Sequence, residues 1–332
     1  MNRPKHGGDI YAFAERLGIS PDAVIDFSSN INRYRPKIGC DFNRLDVSRY
    51  ADPNYTDLKK ILAKKYGVAL PQIALFNGAS SAIAALVPRF EEVAIYAPAY
   101  GEYRRFAKRV TLINRFEDLE KLPPAGALVV FVNPATPDGK FYDPEVLFSI
   151  WEAQNNTVLI DESFLEFTAF ASATAFLRRY KKLYILKSLT KFYACAGVRV
   201  GVVLSHEANI SEIEKDAPMW ALSTYDVAYI SEALRDETFG EMARAKLSEE
   251  RRLLHEVLKK SPYVEKIYPS DANFFLVRLC GIDAEALQQK CDKEAILIRN
   301  CANFDFLDRF HVRFAVRERE DIMKLARVLC GA

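Results

Sequence analysis

The sequence predicts an α/β fold, in which a mostly parallel central sheet carries helices on both faces and a smaller α+β domain follows. Short apolar runs bounded by turn residues recur along the first two thirds of the chain, with helix-like stretches between several of them. Such a pattern is typical of parallel strands that are buried on both faces. The expected strands are 93–97, 127–132, 157–160, 183–186 and 198–204, and the expected helices include 103–110 and 144–155.

From about residue 223 the pattern changes to that of an α+β unit. Apolar residues at helical spacing, with charged residues between them, predict one long amphipathic helix over 230–258. After it we expect strands at 273–279, 295–299 and 313–316, a helix at 284–293, and a final helix from Glu320. The boundary between the two domains is therefore predicted near residue 225.

The composition bounds the function. With 332 residues, half of them apolar, the chain can bury a large core. A net charge of +2 gives no electrostatic footprint for nucleic acid or an anionic membrane. No apolar stretch approaches the roughly 18 residues of a membrane span, and the polar N-terminus lacks a signal-peptide core. Six scattered cysteines without a C-x-x-C pair indicate reduced thiols in a cytoplasmic protein, and the four histidines show no metal-ligand spacing.

The segment 188–201 carries the strongest functional signal. Lys191 lies in a polar loop between two apolar runs, where burial of its ammonium would be costly. A lysine in a partly desolvated site has a lowered pKa and can form a Schiff base with an aldehyde. Ser188 and Arg199 add a hydroxyl and a planar guanidinium for a phosphate. Together they predict a site for pyridoxal 5'-phosphate (PLP); the alternative is a surface lysine beside an ordinary strand turn.

This segment resembles the lysine motif of fold-type I PLP-dependent enzymes in the class I/II aminotransferase superfamily, within the branch of histidinol-phosphate aminotransferases and threonine-phosphate decarboxylases. Segments 6–11, 26–32 and 298–304 resemble the decarboxylases more than the aminotransferases. The resemblance implies an N-terminal arm, 1–35, that packs with the small domain. It also implies a large PLP-binding domain, 36–225, and a small C-terminal domain, 226–332.

Two segments, one at a predicted strand end and one at a predicted helix start, are candidates for holding the cofactor. Asp161 ends an apolar run and could keep a pyridinium nitrogen protonated; Glu162 competes for this role, but the resemblance favours Asp161. Gly78, Ala79 and Ser80 open a helix whose free N–H groups could bind a phosphate, although a plain helix cap explains them too. They match the family's phosphate segment, except that serine replaces its following glutamate.

Other candidates come with departures from the family pattern. Tyr100 or Tyr103 could stack on the pyridine ring, and the sequence does not distinguish them. The loop from Asn133 has Thr136 where relatives have a second asparagine, and Phe164 stands where many have a tyrosine. Both changes weaken contacts that the resemblance places on the cofactor's phenolic oxygen, so they should alter its tuning.

Substrate-binding candidates are cationic or polar. Arg313 resembles the arginine that binds the substrate's α-carboxylate, and strand alternation would place Arg317 on the same face, as an anion site or as a solvated edge. A phosphomonoester on the substrate would suit Arg299, Arg317 and His6 together with the basic loop 33–37, unless that loop is only solvated. Asn30, in the segment 26–32, is a further candidate.

Tyr50 matches a tyrosine that reaches the neighbouring subunit's cofactor phosphate in the family. The resemblance therefore implies a homodimer with shared active sites.

In the enzymes that the chain resembles, the lysine corresponding to Lys191 serves several PLP reactions, and the outcome depends on which bond of the substrate's α-carbon the protein orients. The resemblance favours decarboxylation of threonine phosphate or serine phosphate to an aminoalcohol phosphate, as in cobalamin nucleotide-loop synthesis. One alternative is an aminotransferase of the histidinol-phosphate type. A second is an inactive PLP-fold binding module, against which the presence of Lys191, Asp161 and Arg199 argues.

Overall fold

The computed structural model of the chain describes residues 7–331. Numbered in chain order, its helices are α1 (Ile10–Leu17), α2 (Thr56–Tyr66), α3 (Gly78–Leu86), α4 (Gly101–Phe106), α5 (Pro144–Ala153), α6 (Leu189–Phe192), α7 (Glu207–Glu214), α8 (Thr224–Arg235), α9 (Phe239–Lys260), α10 (Ala284–Asp292) and α11 (Arg319–Cys330). Its strands are β1 (Ile25–Asp26), β2 (Ile73–Asn77), β3 (Glu92–Ala97), β4 (Arg109–Asn114), β5 (Leu128–Val132), β6 (Thr157–Asp161), β7 (Leu183–Ser188), β8 (Val200–Ser205), β9 (Val264–Ile267), β10 (Phe274–Leu279), β11 (Ile296–Leu297), β12 (Arg299–Asn300) and β13 (His311–Ala315).

A seven-stranded sheet with the order β2-β8-β7-β6-β5-β3-β4 forms the centre of the molecule. Its strands are parallel except β8, which is antiparallel to both β2 and β7. Reversal of β8 brings its first residues beside the last residues of β2 and β7. The carboxyl ends of β2, β5, β6 and β7 and the start of β8 therefore share one edge, where ligands of open α/β sheets bind.

Both faces of this sheet are buried, as the continuous apolar runs predict. Along β5, Val129 and Phe131 contribute to one apolar cluster, while Leu128 and Val130 contribute to another on the opposite face. The first cluster continues into the second half of the chain through Phe274. The predicted α/β class with a mostly parallel central sheet is confirmed.

A smaller antiparallel sheet of order β12-β13-β10-β9 covers part of that first cluster. The N-terminal segment contacts this region, because β1 pairs in parallel with β11 and Arg16 forms an ion pair with Asp292 at 2.6 Å. The domain limits at residues 35 and 225 stay predictions, and the second limit falls within the first turn of α8. Within residues 7–331, no helix combines the length and the apolarity needed to cross a membrane.

Two helix predictions were wrong. The single helix over 230–258 is α8 and α9, separated at Asp236, whose carboxylate accepts hydrogen bonds from the Lys37 N–H and the Thr238 hydroxyl. A short acidic side chain that binds nearby polar groups competes with helical hydrogen bonding. The helix over 103–110 ends at Phe106, because the chain turns extended at Ala107 and pairs with β3 as the edge strand β4.

The predicted strand over 295–299 is divided as well. Its first half, β11, pairs with the N-terminal segment, while Arg299 begins β12 in the antiparallel sheet. This division places Arg299 opposite Arg313 on β13.

Candidate active site

A cavity of about 280 Å³ opens at the shared edge of the seven-stranded sheet. It brings together most of the site residues that the sequence predicts. Those in its lining are Asn30, Ala79, Ser80, Tyr100, Thr136, Asp161, Phe164, Ser188, Lys191, Arg199, Arg299 and Arg313.

Lys191 is carried by the single-turn helix α6, which directly follows β7. The N-terminal segment fixes this turn, because Asn32 donates its backbone N–H to the Lys191 carbonyl at 2.9 Å and its side-chain amide to the Phe192 carbonyl at 2.8 Å. Burial lowers the pKa of Lys191 below 10.5, against the opposing effect of Asp161. A lysine with a lowered pKa holds more of the neutral amine, the form that attacks a carbonyl carbon.

Asp161 and Glu162 point to opposite faces of the sheet, so the competition between them is resolved by geometry. Asp161 lines the cavity, with Oδ1 accepting from the Ser163 N–H at 2.8 Å. Glu162 instead forms a fully buried ion pair with Lys187 at 2.5 Å and accepts from the Ser172 hydroxyl. Glu162 is thus part of the core behind the site, and Asp161 is the carboxylate available to a cofactor nitrogen.

The two candidate tyrosines take different positions. Tyr100 lines the cavity, whereas Tyr103 lies behind Asp161 and donates its hydroxyl to Oδ2 at 2.7 Å. The rings contact each other edge to face, with centroids 6.3 Å apart. Burial raises the pKa of Tyr103 well above 10, which keeps the phenol a donor. Tyr100 is therefore the ring that can stack on a cofactor, and Tyr103 orients Asp161.

A group of N–H, hydroxyl and guanidinium donors lines one part of the cavity. The first turn of α3 contributes Ala79 and Ser80, while Ser188 and Thr190 contribute hydroxyls 3.0 Å apart. Arg199, just before β8, completes the set. Backbone N–H groups at a helix start, hydroxyls and a guanidinium are the donors that bind phosphate in proteins.

Gly78 and Gly201 make room for these donors. Gly78 has φ +77°, and a Cβ there would lie 2.6 Å from Nη2 of Arg199. A Cβ on Gly201 would lie 2.5 Å from the Gly78 carbonyl carbon. Gly78 therefore serves the site without lining it, since any larger residue would displace the Arg199 guanidinium.

Asn133 does not face the cavity, because its side-chain amide is hydrogen bonded to the backbone N–H and carbonyl of Tyr142 at 2.9 and 2.8 Å. It anchors the loop that presents Thr136. The Thr136 hydroxyl accepts from Nη1 of Arg313 at 3.2 Å. Phe164 stands where many relatives have a tyrosine. Its ring centre lies 4.6 Å from the Lys191 side-chain nitrogen, so the contact there is of the cation–π type.

Arg313 is buried and lacks a carboxylate partner within salt-bridge distance among residues 7–331. Its Nη2 donates to the Ser28 carbonyl at 2.9 Å, and its Nε has no hydrogen-bond partner in the part of the chain that the structure describes. Burial lowers the pKa of Arg313 to about 10, which still leaves it charged at neutral pH. A buried guanidinium with donors to spare is suited to binding an anionic ligand.

Arg317, Tyr50 and the basic loop 33–37 also lie away from the lining. Arg317 is turned to Asp321, with which it forms an ion pair at 3.1 Å. Tyr50 is 80% exposed and stacks on Trp220, with ring centroids 4.5 Å apart. The basic loop 33–37 does not line the cavity either, and its Arg33 pairs with Glu318 at 3.5 Å. His6 lies outside the described residues.

Sequence reasoning missed several residues of the lining, among them Ser28, Ser29, Ser163 and Thr190. Ser28 and Ser29 belong to the segment 26–32, which stood out as a motif, but only Asn30 was taken from it. Asp26 shapes this segment, because its carboxylate accepts from the Ser28 and Ser29 N–H groups at 2.8 and 3.2 Å. An aspartate two residues before consecutive serines was the available signal.

The residues around the cavity fit PLP: they supply a lysine, a carboxylate for a ring nitrogen, an aromatic ring and a set of donors suited to a phosphate. These features on a mostly parallel sheet define a fold-type I PLP-dependent enzyme. Residues 23–329 match the aminotransferase class I and II family. The chain belongs to this family.

The comparison with individual proteins gives similar results. The chain is 31% identical to the adenosylcobalamin biosynthesis bifunctional protein CobDQ of Leptospira interrogans, over 98% of this chain and 40% of that longer protein. It is 30% identical to threonine-phosphate decarboxylase of Salmonella typhimurium, over 98% of this chain and 95% of the relative.

Solved structures show the same fold. The histidinol-phosphate aminotransferase from Clostridium acetobutylicum superposes with a TM-score of 0.83 at 28% identity, over 93% of this chain and 98% of that one. The histidinol-phosphate aminotransferase from Sinorhizobium meliloti, solved with pyridoxal-5'-phosphate, has a TM-score of 0.77 at 20% identity, over 98% of this chain and 94% of that one.

Proposed function

We propose that the protein decarboxylates an O-phosphorylated hydroxy amino acid, threonine phosphate or serine phosphate, to the aminoalcohol phosphate. The observation that carries this proposal is the cross-strand pair of Arg299 and Arg313, which lie opposite each other on β12 and β13 and both line the cavity. Like charges at directly opposite positions destabilise a sheet. Two anionic groups on one substrate would offset that repulsion.

A phospho-amino acid supplies two such groups. Arg313 would bind the α-carboxylate with its remaining N–H donors, as the family resemblance implies, and Arg299 would bind the phosphate. The similarity to threonine-phosphate decarboxylase over nearly the full length of both proteins supports the same substrate class. Asn30 adds a buried side-chain oxygen that has no hydrogen-bond partner among the described residues and could accept from a polar group of the substrate.

When bound, PLP supplies an electron sink for the charge that develops at the substrate's α-carbon. The protein would contribute orientation and proton transfer. Asp161, held by Tyr103 and Ser163, would keep the cofactor nitrogen protonated. Lys191 would hold the cofactor in the resting enzyme and later return a proton to the carbon from which carbon dioxide leaves. Its lowered pKa suits both roles, because it favours the neutral amine that attacks a carbonyl carbon and makes the ammonium a better proton donor.

Transamination is the second candidate function, supported by the similarity to the Clostridium acetobutylicum aminotransferase. Lys191 could equally move a proton from the α-carbon, so the lysine does not separate the two reactions.

We further propose a homodimer in the cytoplasm. Exposure of Tyr50, stacked on Trp220 away from the described cavity, suits a residue that reaches a neighbouring subunit's site. Unpaired cysteines throughout the chain fit a reducing compartment.

The deciding experiment measures carbon dioxide release from L-threonine O-phosphate and L-serine O-phosphate by the purified holoenzyme. We expect stoichiometric carbon dioxide and the corresponding aminoalcohol phosphate, with PLP unchanged. Conversion of PLP to its amine form by glutamate or histidinol phosphate, without carbon dioxide from either phospho-amino acid, would establish the aminotransferase instead.

The two arginines offer a matched comparison within this experiment. Arg299→Gln should raise KM for the phospho-amino acid about tenfold or more, because a charge-assisted hydrogen bond to a dianion is lost. Arg317→Gln should change KM less than about threefold, because Arg317 is paired with Asp321 outside the lining. Equal effects of the two variants would contradict the assignment of Arg299 to the phosphate.

A further inference from the structure

A fully buried ion pair lies behind the Thr136 loop and outside the cavity lining. The side chains of Arg115 and Asp138 are 1% and 2% exposed, and Nη2 of Arg115 donates to Oδ1 of Asp138. Burial raises the pKa of Asp138, against the opposing effect of Arg115. Removing two charges from water is unfavourable, and such pairs often stabilise a fold less than apolar residues of similar size would. Stability alone therefore explains this pair poorly.

The same guanidinium also holds the loop at Thr136. Nη2 of Arg115 donates a second hydrogen bond to the Thr136 carbonyl at 3.2 Å, so the ion pair and the loop backbone share one donor group. Asp138 lies two residues further along the same loop. One planar guanidinium thus bridges two points of the segment, a task that its fixed donor geometry allows.

On its other side, Thr136 contacts Arg313, the residue proposed to bind the substrate carboxylate. Its hydroxyl accepts from Nη1 of Arg313 at 3.2 Å, while Nη2 of Arg313 donates to the Ser28 carbonyl. These two bonds set the plane of the Arg313 guanidinium. A chain of direct contacts therefore runs from Asp138 through Arg115 and Thr136 to Arg313.

We propose that Arg115 and Asp138 are positioning residues that fix the Thr136 hydroxyl and, through it, orient Arg313 for a carboxylate ligand. This proposal rests on the proposed function in one respect, the binding of the substrate carboxylate by Arg313. It does not depend on whether that carboxylate is afterwards lost.

The experiment compares two ligands that differ only in the carboxylate. KM is measured for L-threonine O-phosphate, and Kd for its decarboxylated amine, 1-aminopropan-2-ol O-phosphate, from the change in absorbance of bound PLP. Thr136→Val removes the hydroxyl without changing the side chain's shape. The double variant Arg115→Met/Asp138→Leu removes both charges together, so neither remains buried alone.

Both variants should raise KM for the phospho-amino acid about tenfold, the effect of one hydrogen bond to a charged group. The Kd of the amine should stay within about twofold, because it has no carboxylate for Arg313 to bind. Thermal unfolding of each variant checks the fold. If the double variant is less stable than the wild type but has an unchanged KM, the pair is structural only; an unchanged KM at any stability makes the proposal wrong. An equal rise in the KM of the phospho-amino acid and in the Kd of the amine would also contradict the proposal.

Arg313→Gln separates a failure of this proposal from a failure of the proposed function. If Arg313→Gln selectively weakens binding of the phospho-amino acid and the other variants do not, only the positioning role of Arg115 and Asp138 is wrong. If Arg313→Gln leaves the difference between the two ligands unchanged, Arg313 does not bind the carboxylate. If L-threonine O-phosphate is not a substrate, its Kd and that of the amine are compared by the same absorbance titration.

Discussion

Tyr103 donates its phenolic hydrogen bond to Oδ2 of Asp161 at 2.7 Å, from a position with no solvent exposure. Because Ser163 binds the other carboxylate oxygen, both oxygens of Asp161 have a donor before any cofactor arrives. The carboxylate is thus fixed in orientation by two elements, the end of β6 and helix α4. A fixed carboxylate meets a cofactor nitrogen without first losing side-chain freedom.

Tyr103→Phe should therefore destabilise the apoprotein. Loss of a buried hydrogen bond to a charged group costs about 1–3 kcal/mol, measurable by urea denaturation. In an Asp161→Asn background the same substitution should lower the free energy of unfolding clearly less, because the hydrogen bond is then no longer to a carboxylate. Equal costs in the two backgrounds would show that Tyr103 acts through packing rather than through Asp161.

Gly78→Ala should weaken PLP binding about tenfold, because its new Cβ would displace the Arg199 guanidinium from the phosphate donors. Gly126→Ala is the matched control. Gly126 also has a positive φ, +73°, but a Cβ there would have no neighbouring atom within 4 Å in residues 7–331. Both variants should therefore lose about 1 kcal/mol of stability to backbone strain.

Titration of each apoprotein with PLP, followed by absorbance, checks this prediction. Only Gly78→Ala should show the raised Kd. An equal rise in both variants would mean that backbone strain, and not the contact with Arg199, determines cofactor affinity.

Lys191 should make the stability of the apoprotein depend on pH. Its pKa is lower in the folded state than the unfolded value of 10.5, because burial disfavours the ammonium. Between the two values the unfolded chain binds more protons, so the free energy of unfolding should rise with pH, by up to about 1.4 kcal/mol per pH unit. Lys191→Met removes this contribution.

Urea denaturation of the wild type and Lys191→Met across neutral to alkaline pH measures the difference. The variant should be the more stable at neutral pH, and the gap should close as pH rises toward 10.5. Arg313 also has a pKa lowered by burial, to about 10, but it is present in both proteins. A gap that does not change with pH would contradict a lowered pKa for Lys191.

The sequence predicts those site residues whose positions follow from local patterns in the chain. Lys191 and Asp161 each follow an apolar strand, and the edge of a parallel sheet brings such positions together whatever the loops do. Tyr100 and Tyr103 could not be separated, because one is the N-cap of the six-residue helix α4 and the other lies in its first turn, and neither position shows which ring faces the cavity. That choice is made by tertiary packing, and the Asp161 carboxylate is the partner that decides it.

Asn133 shows a different limit. The resemblance of its loop to the family motif suggested that Asn133 binds the cofactor, but the side chain is committed to the Tyr142 backbone nine residues later, a contact with no sequence signal. The division between α8 and α9 was missed for a similar reason. Asp236 ends α8 partly because it binds the backbone of Lys37, nearly two hundred residues earlier. Apolar periodicity continues across this point, so periodicity alone predicts one helix.

Tyr50 provides the test of shared active sites. If Tyr50 completes the site of a neighbouring subunit, Tyr50→Ala and Lys191→Ala should each have little activity, yet a mixture of the two refolded together should regain it. In a mixed dimer one site keeps both residues and the other loses both, so random assortment restores up to about a quarter of wild-type activity. Tyr11→Ala is the control, since Tyr11 is 72% exposed but has no predicted role; it should be active alone. Activity in Tyr50→Ala alone, or no recovery in the mixture despite dimer formation by sedimentation, would show that each subunit's site is complete without Tyr50 of its partner.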